Sequence, residues 1–389
     1  MIHPPATHIA RRSVLLGLAA VLAQFALGCN RQNPNALNLE VLVKSIPAVL
    51  WAKFRQETAQ KNGSQLSTQD RLTDLFALLQ KSAVRSSSSP SQVADLVMVG
   101  DYWLAKAIEW ELIQPFDPRL LWEWEKLSAE PIAWQELVKR DRTGKLDPKG
   151  EVWAAPYRWG STAIAYRTDK LEELGWAPEE MPKDWSDLWN PQLQGRISLP
   201  DSPRQVIGLT LKKLGHSYNT PNPDGISQLD SELATLHQQV KLYSSDAYLQ
   251  PLILKDTWVA VGSSAEILNL MQYNRDITAV VPQSGTSLWA ELWVRPTGAA
   301  ATPGETHPLW AQWIDFCWKQ GNASQLSVVS RAASPILTGL SLSQLPAPVQ
   351  GNPILLPDAP ILEKSEFLNP LSDESIEQYR QIWRTMRTS

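Results

Sequence analysis

The run Ala94-Asp95-Leu96-Val97-Met98-Val99-Gly100-Asp101-Tyr102-Trp103-Leu104 constrains this chain more tightly than any other stretch. A strand with one wet face alternates apolar and polar side chains. Leu96 to Val99 are apolar without a break, the mark of a strand covered on both faces. Gly100 then lets the backbone turn into a following helix. Polar and aromatic groups just beyond the carboxyl end of such a strand lie where open α/β sheets hold ligands. Asp101, Tyr102 and Trp103 are therefore candidate site residues.

Strand and helix signals alternate on either side of that run. Leu39 to Val43 reads as a strand, and Pro47 opens a helix through Glu57 with Val49, Leu50 and Phe54 inward. Arg71 to Leu79 reads as an amphipathic helix, and the serine run from Ser86 to Ser91 as a flexible loop. Trp159 to Tyr166 and Gly195 to Ser202 read as strands, with a short capped helix from Trp185 stopped by Pro191 between them. A helix from Pro203 carries apolar Val206, Ile207, Leu209 and Leu211. Thr257 to Gly262 reads as a further strand and Ala265 to Met271 as the helix after it. Ser372 caps the last helix, whose apolar stripe is Ile376, Tyr379 and Trp383; Asp373 and Glu374 in its first turn and Arg384 and Arg387 in its last suit the dipole. At 389 residues the chain exceeds the size at which one hydrophobic core stops growing, so an α/β architecture in two lobes is expected.

A second stretch, Ser284 to Pro296, raises the question of function. Strand alternation sends Leu288, Ala290, Leu292 and Val294 to one face and Trp289, Glu291, Trp293 and Arg295 to the other. The first face is core. The second is either a solvated face with stray indoles or the wall of a cleft holding one carboxylate among aromatic rings. The high count of 18 tryptophans fits either reading, since indoles fill cores and also stack on ligands.

At the N-terminus, Arg11 and Arg12 precede an apolar run from Ser13 to Gly28, shorter than the roughly 20 residues a spanning helix needs. It reads as a secretory signal over residues 1–28. The residues before Cys29 resemble the lipobox of bacterial lipoproteins, with Ala26 in place of the commoner leucine. That marks Cys29 for lipidation and residues 29–37 as a tether. The paired arginines also fit a twin-arginine signal, although Ala10 and Leu16 depart from its fuller pattern. Cleavage before Cys29 removes two arginines and no acids, which takes the net charge from −4 to −6 and argues against a nucleic-acid partner. Cys317 is then the one free thiol, read as buried and inert.

Local catalytic signatures are missing. The sequence has no P-loop, GxGxxG, CxxC or GxSxG motif, and His216, His237 and His307 lie far apart; His307, before Pro308, reads as a surface or capping residue. No catalytic set, metal site or cofactor is expected, and binding is favoured over catalysis.

Several collinear segments resemble one family, the substrate-binding proteins and lipoproteins of polyamine (spermidine/putrescine) ABC importers. They are Asp95 to Trp103; Pro156-Tyr157-Arg158-Trp159-Gly160-Ser161-Thr162-Ala163-Ile164; Asp184 to Trp189; the strand from Gly195; Arg204; and Lys213-Leu214-Gly215 with Asn219-Thr220. The resemblance implies a type II periplasmic binding fold, two α/β lobes built from discontinuous segments and closing on a solute by a hinge. It places residues 38–160 with 292–335 in lobe 1 and 165–288 with 336–389 in lobe 2, with crossings at 160–164 and 289–291. It implies that Trp289 and Glu291 supply an indole and a carboxylate to a primary ammonium, with Tyr102 as a binding tyrosine and Asp101, Trp103 and Trp159 around the solute. A small-molecule solute, an ABC permease and a membrane reached through lipid are the implied partners of a monomeric, extracytoplasmic protein.

The chain also departs from the family pattern. Ser202 and Gln205 stand where the family has two carboxylates, and the first loop is shortened around Lys44-Ser45-Ile46-Pro47. Asp101 and Asp201 are neighbours able to substitute for the missing acids. A monocation, or an anion met by Lys44, Arg158 or Arg204, is the alternative solute; an enzyme and a surface interaction module are the alternatives of another class.

Overall fold

A computed structural model describes residues 36–58, 63–85, 93–128, 131–300 and 305–388. The signal segment, Cys29 and the serine run lie outside the described residues.

The sheet is built from β1 (Asn38–Leu42), β2 (Gln65–Gln69), β3 (Leu96–Gly100), β4 (Ala155–Arg167), β5 (Ile197–Leu199), β6 (Val240–Tyr243), β7 (Val259–Ser263), β8 (Ile277–Val280) and β9 (Ser287–Pro296). Their order is β2-β1-β3-β9-β4-β7-β5-β6, with β8 also pairing β4. β1 runs parallel to β2 and β3, and β5 runs parallel to β6 and β7, as the α/β alternation requires. The two long strands, β4 and β9, are antiparallel to each other and to β3, β7 and β8, while the two-residue strand Glu366–Phe367 runs parallel to the start of β9. β4 changes partners along its length. Ala155 to Ser161 pair with β9, whereas Thr162 to Arg167 pair with β7 and β8. The chain thus passes from one half of the sheet to the other at Ser161 and Thr162.

β3 is buried at every position, and the helix Asp101–Glu109 starts at the next residue. Gly100 has φ −72°, an ordinary extended value, so the turn into that helix does not use glycine's freedom, contrary to the sequence expectation. In the helix Ala48–Glu57 Leu50 and Phe54 face inward as expected, but Val49 is exposed. The segment Trp185–Trp189 is a 3-10 helix whose cap is Asp184. In the last helix, Asp373–Thr388, Ser372 accepts a hydrogen bond from the Ser375 N–H, and the buried stripe is Ser375, Tyr379, Ile382 and Met386, one step round from the expected one.

Two apolar clusters form the core. The first packs β1, β3, β9 and the start of β4 under Leu50, Phe54, Trp313 and Phe316, and runs on to Tyr248, Leu252 and Ile267. The second covers one face of β5 and β7 with Val206, Ile207, Leu233, Trp185, Tyr379 and Ile382. Leu345, Val349, Ile354, Leu355 and Leu362 also belong to the first cluster, which therefore spans both halves of the sheet. Trp134, Trp159, Trp185, Trp293, Trp313 and Trp318 are fully buried, so much of the tryptophan excess fills core space. Cys317 is buried as expected, its thiol pushed well up by burial and by the nearby Asp315.

Candidate functional site

Function is to be sought where β4 crosses from one half of the sheet to the other with the start of β9 beside it. On β9 both faces are buried and only Trp289 keeps partial exposure, so the solvated-face reading of Glu291, Trp293 and Arg295 falls away. Trp289 lies across Gly160 of β4 and donates from its indole N–H to the Ser161 carbonyl at 3.2 Å. A β-carbon at position 160 would sit 2.5 Å from that indole ring and 2.5 Å from the Ser264 hydroxyl, so glycine is required by close approach.

Glu291 is not the open carboxylate that the sequence suggested. The register sets it directly opposite Arg158 of β4, and the guanidinium meets both its oxygens, Nε and Nη2 each at 2.7 Å. Nη1 of Arg158 donates to the Ser330 carbonyl at 3.3 Å, so both ends of the fork are engaged. The pair is buried, at 8% and 4% side-chain exposure, where an unpaired charge is costly. Burial works against the charged guanidinium, but Glu291 outweighs it and holds Arg158 above its ordinary pKa.

Asp101 is the carboxylate that the fold brings to the crossing with no partnering guanidinium in contact. It opens the helix Asp101–Glu109, is partly exposed, and accepts the Ala290 N–H of β9 at 2.9 Å. Burial pushes its carboxyl up to about 6, against the opposing pull of the Ala290 N–H and of Arg140. The next residue, Tyr102, is 60% exposed and meets Trp103 edge-on, while Trp103 stacks on Phe76 at 4.5 Å. Tyr102 thus offers a free aromatic face and Trp103 backs it. Trp159, expected beside the solute, is fully buried against Trp134 because it pairs with Ala290 on the opposite side of the strand from Arg158 and Gly160.

The second half of the sheet contributes neutral polar groups. Ser202 caps the helix Pro203–Lys213, accepting the Gln205 N–H at 3.4 Å. The Gln205 side-chain carbonyl accepts from Ser287 at 2.9 Å and from Thr162 at 3.3 Å, and those two hydroxyls lie 2.8 Å apart. Gln205 therefore ties both crossing strands to one helix. Asp201 does not join them: it is exposed and pairs with Arg387 of the last helix at 3.0 Å. Arg204 is held away by the carbonyls of Asn369 and Tyr218 and by Asn219, and Lys44 is exposed with φ +62°.

The hydroxyl pair of Thr162 and Ser287 was missed by the sequence reading, as was Ser264, whose hydroxyl accepts the Ser161 N–H. Small hydroxyls carry no pattern of their own, and only the register of β4 against β7 and β9 gathers them. No histidine assembles with a nucleophile among the described residues: His237 bonds Tyr243, His216 is exposed, and His307 bonds the buried Asp315 at 2.8 Å while stacking on Trp122, a packed role rather than a capping one. Among the described residues no cluster suited to a metal ion and no helix long and apolar enough to cross a membrane is present.

The family model described as bacterial extracellular solute-binding protein matches residues 91–363, most of the chain and all of the crossing region. The chain belongs to that family. Among solute-binding relatives, the spermidine/putrescine-binding periplasmic protein of Salmonella typhimurium is 26% identical over 289 residues, covering 74% of this chain and 76% of the relative. The solved spermidine/putrescine ABC transporter substrate-binding protein PotD of Streptococcus pneumoniae superposes with a TM-score of 0.75 at 20% identity, over 91% of this chain and 99% of that one. The cyclic alpha-maltosyl-1,6-maltose binding protein of Arthrobacter globiformis superposes with a TM-score of 0.66 at 12% identity, over 91% and 94%. The fold is the two-lobe type II periplasmic binding fold, in which β4 pairs with both halves of the sheet. Solute-binding proteins of this fold named for a polyamine and for a sugar share the same frame, so the solute must be argued from side chains.

Proposed function

We propose that this chain is the solute-capturing component of an ABC importer, that it works outside the cytoplasmic membrane on a lipid anchor at Cys29, and that its solute is a polyamine-class amine held at the crossing of β4 and β9. The observation that carries the reading is Asp101: a carboxylate docked on the Ala290 N–H of the crossing strand, with the exposed ring of Tyr102 at the adjoining position and the partly exposed indole of Trp289 on the strand it caps. An ammonium satisfies such a carboxylate, and aromatic faces favour the cation and its methylene chain. The named ligands of the relatives support the same chemistry. Nothing in the site suggests turnover, and capture followed by lobe closure is its role.

The test is titration of the purified chain lacking residues 1–29 with putrescine, spermidine and cadaverine, read by tryptophan fluorescence and calorimetry. Saturable binding that weakens at least tenfold in Asp101→Asn supports the proposal; no response to any amine rejects it. Cys29→Ser is expected to move the full-length protein from the membrane to the soluble fraction and abolish fatty-acid labelling.

A further inference from the structure

The charge balance at the crossing is unusual for a site offered to a cation. Glu291 sits on the same face of β9 as Trp289, two residues further along, yet both its oxygens are taken by Arg158. The helix start at Ser202 and Gln205 presents a hydroxyl and an amide. Among the described residues Asp101 is left as the carboxylate that bonds a crossing strand and has no bonded cation.

We infer that Arg158 is a specificity-determining residue, a built-in counter-ion that occupies Glu291 and sets the cleft for a solute with a single ammonium and a neutral hydrogen-bonding far end. The inference rests on the amine reading above but departs from a polyamine, which carries at least two ammonium groups, toward an amine that carries one. Three features support it. First, the guanidinium is locked by a bidentate contact and by the Ser330 carbonyl, so all three of its nitrogens are engaged; a planar fork matched to a carboxylate in this way holds a fixed geometry. Second, Arg158 and Glu291 occupy facing positions on the two strands that any interlobe solute must meet, and Arg158 is two residues from Gly160, on which Trp289 lies. Third, the Thr162, Ser287 and Gln205 cluster lies at the start of β9, three residues before Ala290, at about 10 Å along an extended strand. A four-carbon amine gripped by Asp101 extends toward hydroxyls and an amide there. Among the described residues a second ammonium at that end meets no free carboxylate, since Glu366 beside Ser287 is paired with Lys212, and the desolvation of its charge goes uncompensated.

The experiment compares putrescine with 4-aminobutan-1-ol, equal in length and differing in one charge, on the wild-type chain, on Arg158→Met and on Arg158→Met/Glu291→Leu. The quantity read is the ratio of the two dissociation constants. The expected wild-type ratio is within about threefold of unity or favours the aminoalcohol. Arg158→Met, which leaves Glu291 without its counter-ion, is expected to shift the ratio at least tenfold toward putrescine, the size of one charged contact. The double variant, which removes both charges, is expected to return to the wild-type ratio. A wild-type preference for putrescine of tenfold or more overturns the inference whatever the variants do, and its disappearance in the double variant would show that Glu291 serves the ligand despite Arg158. An unshifted ratio in a folded Arg158→Met overturns it as well. Should Arg158→Met fail to fold, the double variant decides alone: a ratio like wild type supports the masking of Glu291, and a lost putrescine preference rejects it. Absence of binding of either amine to the wild-type chain defeats the amine reading itself, an outcome distinct from a wrong ratio.

Discussion

The side chain of Asp101 closes on the backbone of Ala290, its Oδ1 accepting that N–H at 2.9 Å, and so joins the first helix after β3 to the strand that crosses between the lobes. A backbone group that faces no neighbouring strand at the crossing needs an acceptor, and the carboxylate provides it. The same contact places an acid of pKa about 6 at the seam, because burial raises it further than the Ala290 N–H and Arg140 can pull it back.

A pH dependence of binding follows. The ammonium needs the ionised acid, and the free protein protonates Asp101 as pH falls through about 6. Amine affinity is therefore expected to fall about tenfold between pH 6.5 and 5, and to release protons on binding near pH 6, measurable by calorimetry in buffers of different ionisation enthalpy. Asp101→Asn is expected to bind weakly with no such slope.

Stability has the opposite sign. Asp101 holds its proton more tightly folded than unfolded, at about 6 against the ordinary 3.8, so its stabilising contribution is complete below about 3.8 and is lost as pH rises through about 6. The loss is at most about 3 kcal/mol for a shift of this size. Asp101→Asn is expected to unfold at higher urea than wild type at pH 8 and to show little difference at pH 4. Equal differences at both values would remove the assigned pKa.

Gly160→Ala tests the seat of Trp289. The added methyl group must displace either the indole or the Ser264 hydroxyl, both of which it would approach at 2.5 Å. Overpacking of this kind costs about 1–3 kcal/mol. A fall in melting temperature with an altered tryptophan emission and weakened amine binding is expected, while the neighbouring Ser161→Ala, which keeps the carbonyl that Trp289 uses, is expected to leave the emission unchanged.

The frame of this protein was legible in its sequence, and the wiring of its site was not. The uninterrupted Leu96 to Val99 gave away a doubly covered strand, and Pro203 with its apolar partners gave away the helix that follows β5, because burial writes itself into local patterns. Trp289, Tyr102 and Asp101, here proposed to meet the solute, were singled out by position after a strand or by alternation along one. What period-2 reasoning could not supply was register. Whether Glu291 faces a ligand or a guanidinium depends on which residue of β4 stands opposite, and the register shift between Glu291 and Leu292 makes that a tertiary fact. The burial of Trp159 was hidden for a related reason: one step along the strand separates the face of Arg158 and Gly160 from the face that packs on Trp134.

Gln205 is expected to matter for the hinge more than for the charge of the site. Its carbonyl receives Ser287 and Thr162, one hydroxyl from each crossing strand. Gln205→Ala strands both hydroxyls without that acceptor, at a cost of about 1–2 kcal/mol. Faster hydrogen exchange confined to the start of β9 and the middle of β4 is the expected signature. Protection unchanged at Ser287 and Thr162 would show that the amide does not couple the two strands.

The Arg158–Glu291 pair makes a last prediction, in stability rather than in selectivity. Its two charges lie in a region with almost no solvent, so each is tolerable only because of the other. Removing one partner leaves a buried charge with no counter-ion, which costs about 3–5 kcal/mol, whereas replacing both by apolar side chains of similar volume is close to neutral. Arg158→Met is therefore expected to lower the urea midpoint far more than Arg158→Met/Glu291→Leu, and the gap between them is the coupling of the pair. The gap should persist in high salt, since a pair this buried is screened far less than an exposed one. Additive losses in the two single variants and the double would mean that the guanidinium and the carboxylate do not depend on each other, and the masked-carboxylate account of the cleft would then lose its physical basis.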